Sequence, residues 1–391
     1  MPSHPTPGGL QKVIGLIQEN VAPAVLDKGL ERQIAVAENR EPDYLPIIFE
    51  VNRSPLLDEL TQHDYREEFD SEEKMLANQL NALVGFVLAR SDAQLAVRAN
   101  LGTAFLATVC GLEPRILPHS KPWLTDHLGT AGWRDLDLPQ VLDQLCDRGL
   151  FPKALALYAY YRDVLDRAGL AGIVHLYLPD TQGAFDLAHL IVGDELFTLL
   201  HDDPAFAEDI VRDCTMLYCR ASQLLKQRTG EDIGRAYHGS GMYLARAGVR
   251  CCEDTATLIR PADVRRNVRP AIERIGQEFD GAFVHFCGKG QHLLQALLDL
   301  PQVSCFNFGD PGNYDFAALL PRLIGTGKYY YGRIPRGPEE ELGAYFARVL
   351  GYLQGRRLGL ALMPDLDEPI DEARAAEIVA LWHEAQDRYL Q

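Results

Sequence analysis

The chain has 391 residues, of which 47% are hydrophobic, so it can bury a large core and is not a disordered protein. Its formal net charge of −17 disfavours nucleic acid and anionic membranes as partners, because both attract clustered Lys and Arg. No apolar run reaches the roughly 20 residues of a membrane-spanning helix, and the polar N-terminus lacks the layout of a signal peptide. The eight scattered cysteines favour reduced, mostly buried thiols over a disulfide framework, so we expect a cytoplasmic protein.

The first half of the chain predicts helices separated by a few short strands. Residues 1–40 are expected to form a helical extension with a flexible start, and the proline-rich residues 112–150 an irregular insertion with the character of a lid. Short apolar runs predict strands at 45–51, 96–100, 172–178 and either 235–239 or 249–253. Helical periodicity covers 66–91, 152–168 and, in two pieces, 183–228.

The second half of the chain alternates strands and helices regularly. Strands are predicted at 282–287, 303–308, 328–334 and 358–363. Each is followed by a predicted helix, at 290–299, 315–324, 338–354 and 370–388. Strands that alternate with helices of this length are typical of a parallel sheet with crossover helices.

About eight strands in this order predict an α/β fold, a (β/α)₈ TIM barrel with an N-terminal helical extension, as one domain over residues 1–391. The alternative is an open, doubly wound sheet. It is disfavoured because no Gly-rich phosphate-binding turn follows the first strand.

Polar residues follow the apolar strands at their C-terminal ends, which is where barrel enzymes carry their sites. The alternative is that loops are polar in any protein. The residues at these ends are Glu50, Asn52, Asn100, Asp180, Gln182, His238, Glu253, Asp254, His285, Cys287, Asn307, Asp310, Arg333, Asp365 and Asp367. Among them, the candidates for substrate binding are Asn52, Asn100, Asp180, Gln182 and Asn307.

His285 and Cys287 stand out because they are two residues apart on one predicted strand. Residues i and i+2 of a strand point to the same face, so an imidazole and a thiol lie within reach of one metal ion, while Phe286 points the other way. Zinc accepts both donors. Two ligands fill only half of a four-coordinate site, so a structural pair of a hydrogen-bonded core histidine and an inert thiol stays an alternative.

Cys251 and Cys252 form a vicinal pair on a predicted strand. Adjacent strand residues face opposite sides, so a joint metal site is not expected from them. One of the two thiols could still line the barrel.

Several segments resemble the uroporphyrinogen decarboxylase superfamily. HFCGKGQHLLQALLDL, with SCFNFGDPGNYD after it, is similar to the superfamily's H-x-C-G segment. GVRCCEDTATLIRPADVRRNVRPAIERI and PDTQGAFDLAHLIVGDELFTLLHDDP resemble two of its upstream segments. The resemblance covers about residues 40–390, in order as well as in wording, and it implies a barrel enzyme.

Two branches of this superfamily bear on the function. The decarboxylases carry an N-terminal R-Q-A-G-R segment, whereas this chain has FEVNRSP there, with only Arg53 as a remnant. The methylcobalamin:thiol methyltransferases carry H-x-C on the fifth strand, where it binds the zinc that activates a thiol. His285 and Cys287 match that motif, so the resemblance implies zinc as the metal and a corrinoid as co-substrate.

The chain departs from the methyltransferases after the last strand, where MPDLDEP has no cysteine to complete the metal site. Asp365 or Asp367 could take its place, since zinc accepts carboxylate oxygen. Asp310 lies about where that branch has an acidic ligand. We therefore expect metal ligands among His285, Cys287, Asp310 and Asp365.

Three hypotheses follow. The first is a zinc-dependent methyltransferase that takes a small-molecule acceptor and a corrinoid, free or on a partner protein, and that could form a homodimer. The second is a cofactor-free decarboxylase of uroporphyrinogen or a related acid, with Arg333 as the cation and His238 and Asp254 as acid–base groups. The third is a barrel that binds a corrinoid or a metal without catalysis.

Overall fold

The computed structural model describes residues 9–390. The first eight residues of the predicted extension 1–40 lie outside the described residues, so the prediction of a flexible start is not tested. The chain combines α-helices with parallel β-sheets, and the predicted α/β class is confirmed. A single large cluster of buried apolar side chains runs through the described residues and joins the sheets to the helices that cover them.

The strands form one larger parallel sheet and three two-stranded sheets. The strands of the described residues are β1 (Leu95–Val97), β2 (Pro114–Leu117), β3 (Ser120–Leu124), β4 (Val174–Leu176), β5 (Ala236–His238), β6 (Met242–Leu244), β7 (Val249–Cys252), β8 (Ala282–Phe286), β9 (Val303–Phe308), β10 (Tyr329–Arg333) and β11 (Leu360–Met363). The larger sheet has the order β11-β10-β9-β8-β7, and β1 pairs in parallel with β4. The other two sheets are the antiparallel hairpins β2–β3 and β5–β6.

The helices connect these strands, as expected of parallel sheets. They are α1 (Gly9–Asn20), α2 (Pro23–Ala37), α3 (Pro55–Asp58), α4 (Tyr65–Asp70), α5 (Glu72–Ala89), α6 (Gly129–Asp135), α7 (Leu138–Asp143), α8 (Phe151–Arg167), α9 (Ala184–Val192), α10 (Glu195–Asp202), α11 (Pro204–Thr229), α12 (Pro261–Asp263), α13 (Arg269–Glu278), α14 (Gln291–Leu297), α15 (Phe316–Gly325), α16 (Leu342–Gly351) and α17 (Glu372–Tyr389). Among residues 9–390, none of the helices has both the length and the apolar character that a bilayer crossing requires.

The strand predicted at 45–51 is reduced to one parallel bridge between Ile47 and Leu362 of β11. Asp92 is the reason, because its side chain and backbone take the place of a neighbouring strand. The Ile47 N–H donates to the Asp92 carboxylate at 2.9 Å, and the Asp92 N–H donates back to the Ile47 carbonyl at 2.9 Å.

Three other predictions are corrected in detail. The helix predicted over 66–91 divides at Ser71, whose hydroxyl caps the N-terminus of α5. The helical region 183–228 has three pieces rather than two, because Gly193 ends α9 at φ +79° and Asp203 caps α11. The insertion 112–150 is not irregular, since it contains the β2–β3 hairpin, α6 and α7.

Both alternatives for the fourth strand are strands. Residues 236–238 pair within a hairpin, whereas residues 249–252 join the larger sheet beside β8. The second of these matters for the site, because β7 then ends next to the strand that carries His285.

Candidate functional site

Three neighbouring strands place polar side chains in one row across the larger sheet. Cys252 of β7 is in register with His285 of β8, and His285 is in register with Asn307 of β9. Phe286 faces the other side, where its ring packs against Phe308 at a centroid distance of 5.1 Å. The row therefore lies on the face of the sheet opposite to this aromatic cluster.

Four side chains around this row offer metal-binding atoms. Cys252, Asp254 and His285 each contribute one ligand atom, and the three atoms lie within 4.8 Å of one another. The Nε2 atom of His285 is 3.9 Å from Asp254 Oδ1 and 3.6 Å from the Sγ atom of Cys287. We refer to Cys252, Asp254, His285 and Cys287 as the donor cluster.

Asn307 fixes the orientation of the His285 ring. Its Nδ2 donates a hydrogen bond to the Tyr331 carbonyl at 2.6 Å, so its Oδ1 faces His285 Nδ1 at 2.5 Å. An oxygen acceptor at Nδ1 makes this nitrogen the donor, which leaves the lone pair of Nε2 free to face the donor cluster. Asn307, which was predicted to bind substrate, therefore contacts His285 in this structure.

Asp254 is held by hydrogen bonds on both sides of its loop. The backbone N–H groups of Asp254 and Thr255 donate to the two carboxylate oxygens of Asp186 at 2.9 and 2.8 Å. Asp254 Oδ1 in turn accepts a hydrogen bond from the Cys287 N–H at 2.7 Å. The buried Glu253 carboxylate accepts from the Asp186 N–H at 3.2 Å and so ties this loop to the start of α9.

Burial sets the protonation of the donor cluster. It raises the pKa of the Cys287 thiol to about 11, helped by the nearby carboxylates of Asp254 and Asp310. Burial also holds the pKa of Cys252 well above its ordinary value, and it lowers the pKa of His285 together with the positive charge of Arg250. Both thiols are therefore protonated and the imidazole is neutral near pH 7.

A cavity of about 350 Å³ is lined by Arg250, which lies two residues before Cys252 on β7. Asp180 lies in its wall with one oxygen 3.5 Å from Arg98 Nη1 and 3.7 Å from Arg250 Nη1. Burial and both guanidinium groups keep the pKa of His238 well below its ordinary value, and its Nδ1 lies 2.6 Å from the Ser240 hydroxyl. We refer to this cavity, which has Arg98, Asp180 and Arg250 in its wall, as the arginine cavity.

The remaining predicted metal ligands have other partners. Asp310 accepts a hydrogen bond from the Gly288 N–H at 2.6 Å, beside Cys287. Asp365 accepts one from the Arg336 N–H at 3.0 Å. The structure does not bring either carboxylate into the group formed by Cys252, Asp254 and His285.

The other predicted site residues are divided between the cavity and the scaffold. Asn100 lines the cavity and donates to Glu68 at 3.2 Å, while Gln182 donates to Asp180 at 2.6 Å. Asn52 accepts a hydrogen bond from the Ile370 N–H at 2.8 Å and so links two loops. Arg333 is exposed at the end of β10.

No family model matches the chain, and no curated protein matches its sequence. A solved structure, a methyltransferase from Methanosarcina mazei, is similar in fold with a TM-score of 0.63. The alignment covers 90% of this chain and 97% of that one at 16% sequence identity. The chain shares the fold of this methyltransferase.

Sequence reasoning did not single out Cys252, Arg98, Arg250 or Asp186. Cys252 was judged only as half of a vicinal pair, although the register of β7 against β8 places it beside His285. The alternation of β7 could have revealed Arg250, because it shares a face with Cys252 two residues further on. Arg98 follows β1, and no local pattern links it to β7.

Proposed function

We propose that this protein is a methyltransferase that moves a methyl group from a corrinoid to a thiol activated by zinc. The observation that carries the proposal is the donor cluster of Cys252, Asp254, His285 and Cys287 at the ends of neighbouring strands. The likeness in fold to a methyltransferase and the resemblance of the H-x-C-G segment to the zinc-binding branch both support it.

The donor cluster fits zinc in chemistry and in spacing. Bond lengths of about 2.0 Å to nitrogen and 2.3 Å to sulfur, at a tetrahedral angle, put the two ligand atoms about 3.5 Å apart. His285 Nε2 and Cys287 Sγ are 3.6 Å apart. The contact with Asn307 is the kind of outer hydrogen bond that orients a metal-binding histidine.

Cys252 answers the objection that no cysteine follows the last strand. It offers a thiol from β7 whose sulfur lies within 4.8 Å of ligand atoms of Asp254 and His285, so a set of Cys252, Asp254 and His285 needs no ligand from the C-terminal loop. Asp254 is the nearby carboxylate. In this proposal these residues take the roles first expected of Asp310 and Asp365.

Bound zinc would lower the pKa of the acceptor thiol and hold it as a thiolate. The acceptor thiol gives up its proton to solvent. In the transfer itself the sulfur electron pair would form the new S–C bond, and the electron pair of the broken cobalt–carbon bond would stay on the corrinoid. Asn307 and Asp186 keep the donor atoms in place through His285 and the Asp254 loop.

The proposal extends to the closure of the barrel, the domain organisation and the binding partners. The parallel bridge from Ile47 to Leu362 and the β1–β4 pair support a sheet that closes as an eight-stranded barrel, in one domain over residues 1–391. Residues 112–150 would then be the element that contacts a corrinoid or its carrier protein. A second copy of the chain is a further partner to test by the mass of the protein in solution.

The test is a calorimetric titration of the metal-free protein with zinc. A second assay then measures methyl transfer from methylcobalamin by the zinc-loaded protein. We expect one zinc per chain, with affinity at least about 100-fold lower in Cys287→Ala and His285→Ala, since each loses a direct ligand. Cys305→Ala is the matched control, because Cys305 is a buried thiol of the neighbouring β9 outside the donor cluster. Equal zinc affinities in the wild type and Cys287→Ala contradict the proposal.

A cofactor-free decarboxylase is the second candidate, and the arginine cavity is the observation that favours it. Arg98 and Arg250 could hold the carboxylates of an acid beside His238. This candidate predicts that activity does not need a metal. The zinc-free protein would bind a porphyrin and would release CO₂ from a porphyrinogen at full rate. Loss of that activity with a chelator would rule the second candidate out.

A further inference from the structure

The arginine cavity is electropositive although the protein as a whole is acidic. Its lining contains three cationic side chains, Arg98, Lys121 and Arg250, but only one carboxylate, that of Asp180. His238 adds no charge, because its pKa is held well below its ordinary value by burial and by the two guanidinium groups. The lining of this cavity therefore differs in sign from the whole chain, whose net charge is −17.

Asp180 does not use up the hydrogen-bonding capacity of the two arginines. Its oxygen is 3.5 Å from Arg98 and 3.7 Å from Arg250, both longer than an ordinary hydrogen bond. A guanidinium has five N–H donors. Within residues 9–390, the Arg250 guanidinium donates no hydrogen bond to the protein, and its side chain is only 24% exposed. Such a group is available to a ligand.

The cavity and the donor cluster are joined through β7. Arg250 and Cys252 lie two residues apart on this strand, so their side chains share a face and their Cα atoms are about 6.6 Å apart. The cavity and the donor cluster are therefore neighbours on one face of β7.

The geometry points to a carboxylate-binding subsite formed by Arg98 and Arg250, so that the substrate of this site carries a carboxylate group. Planar guanidinium groups match the two oxygens of a carboxylate. The inference rests on the proposed function in one respect, that the cavity and the donor cluster serve the same substrate. Asp180 then competes with the ligand carboxylate for the two arginines.

The experiment is calorimetric titration of the full-length, metal-free protein with succinate, and with succinamide as the uncharged analogue. We expect saturable succinate binding that weakens as salt is added, and no saturable succinamide binding. Arg250→Gln should weaken succinate binding about tenfold or more, because a charge-assisted contact is lost. Arg322→Gln, an exposed arginine of α15, is the matched control and should change the affinity less than about twofold.

Asp180→Asn separates ligand binding from a structural role. Removing the internal carboxylate should tighten succinate binding several-fold, whereas damage to the fold would weaken it. Arg250→Lys keeps the charge and serves if Arg250→Gln does not fold. Equal succinate affinities in the wild type and in the Arg250 variant that folds, or equal binding of succinamide, overturn the inference.

The two proposals fail separately. Succinate binding that depends on Arg250, in a protein that takes up no zinc, supports the carboxylate subsite and contradicts the methyltransferase. Zinc uptake that depends on Cys287, without succinate binding, supports the metal site and overturns the subsite.

Discussion

The donor cluster and the arginine cavity lie next to each other and need opposite partners. The donor cluster gathers two protonated thiols, a neutral imidazole and a carboxylate, which together call for a cation. The arginine cavity gathers two guanidinium groups around one carboxylate and calls for an anion. Both are built on the same face of β7, from Cys252 and Arg250.

The comparison teaches that one strand can serve two kinds of chemistry through its alternation. Residues two apart on β7 share a face, so the strand delivers a thiol to one region and a guanidinium to the other. What separates the regions is the set of neighbours. Cys252 meets His285 of β8, whereas Arg250 meets Asp180, which follows β4.

The largest effect on stability is expected from Gly309→Ala, next to Cys287 of the donor cluster. A Cβ atom at this position would overlap the Sγ atom of Cys287. We expect a loss of about 1–3 kcal/mol in the free energy of unfolding from overpacking. Displacement of the thiol should also lower zinc affinity. Denaturant unfolding and zinc titration measure the two effects.

Gly312→Ala is the control for this substitution, since a Cβ there meets no atom within 4 Å. It should leave both quantities close to wild type. If Gly309→Ala behaves in the same way, Cys287 is not held where the structure has it.

The next effect concerns the arginine cavity and its response to pH. Burial would raise the pKa of Asp180, but Arg250 and Arg98 outweigh it and lower that pKa to about 2. A lowered folded-state pKa stabilises the protein above the unfolded value near 4, and this stability is lost as the pH falls through about 2. The shift corresponds to about 2 kcal/mol.

Asp180→Asn should therefore reduce the difference in unfolding free energy between pH 5 and pH 2 by about 2 kcal/mol. Urea unfolding at the two pH values measures it. The same pH dependence in both proteins would mean that the charge of Asp180 does not interact with the arginines as described.

A smaller effect is expected from Asn307→Ala, which removes the acceptor at His285 Nδ1. Loss of such an outer contact lowers metal affinity by about tenfold or more. Zinc titration checks it. An affinity unchanged from the wild type would contradict the role of Asn307 in orienting His285.

The smallest effect is expected from Asp365→Asn. This carboxylate accepts a hydrogen bond from the Arg336 N–H and is outside the donor cluster. Zinc affinity should change less than about threefold, because no direct ligand is lost. A loss of zinc affinity as large as that of Cys287→Ala would mean that Asp365 is a direct ligand, and it would contradict the proposal that Cys252 takes this role.

Much of the second half of the fold could be predicted from sequence. The strand predicted at 303–308 is observed with the same bounds as β9, and the other strands of the larger sheet differ from prediction by one or two residues. Their apolar runs are bounded by clear turns, and parallel strands with both faces covered have that pattern. The first half was harder, because Asp92 replaces ladder partners at Ile47 and no local pattern indicates that.

The sequence by itself determined the α/β class and the closeness of His285 and Cys287, because the spacing of two residues along a strand fixes a shared face. Only the tertiary structure decided that Cys252 and Asp254 join them, since that depends on the register of β7 against β8. It also decided that Arg98 and Arg250, about 150 residues apart in the chain, face one carboxylate. Contacts between strands distant in sequence depend on how the whole sheet packs, and no local pattern encodes them.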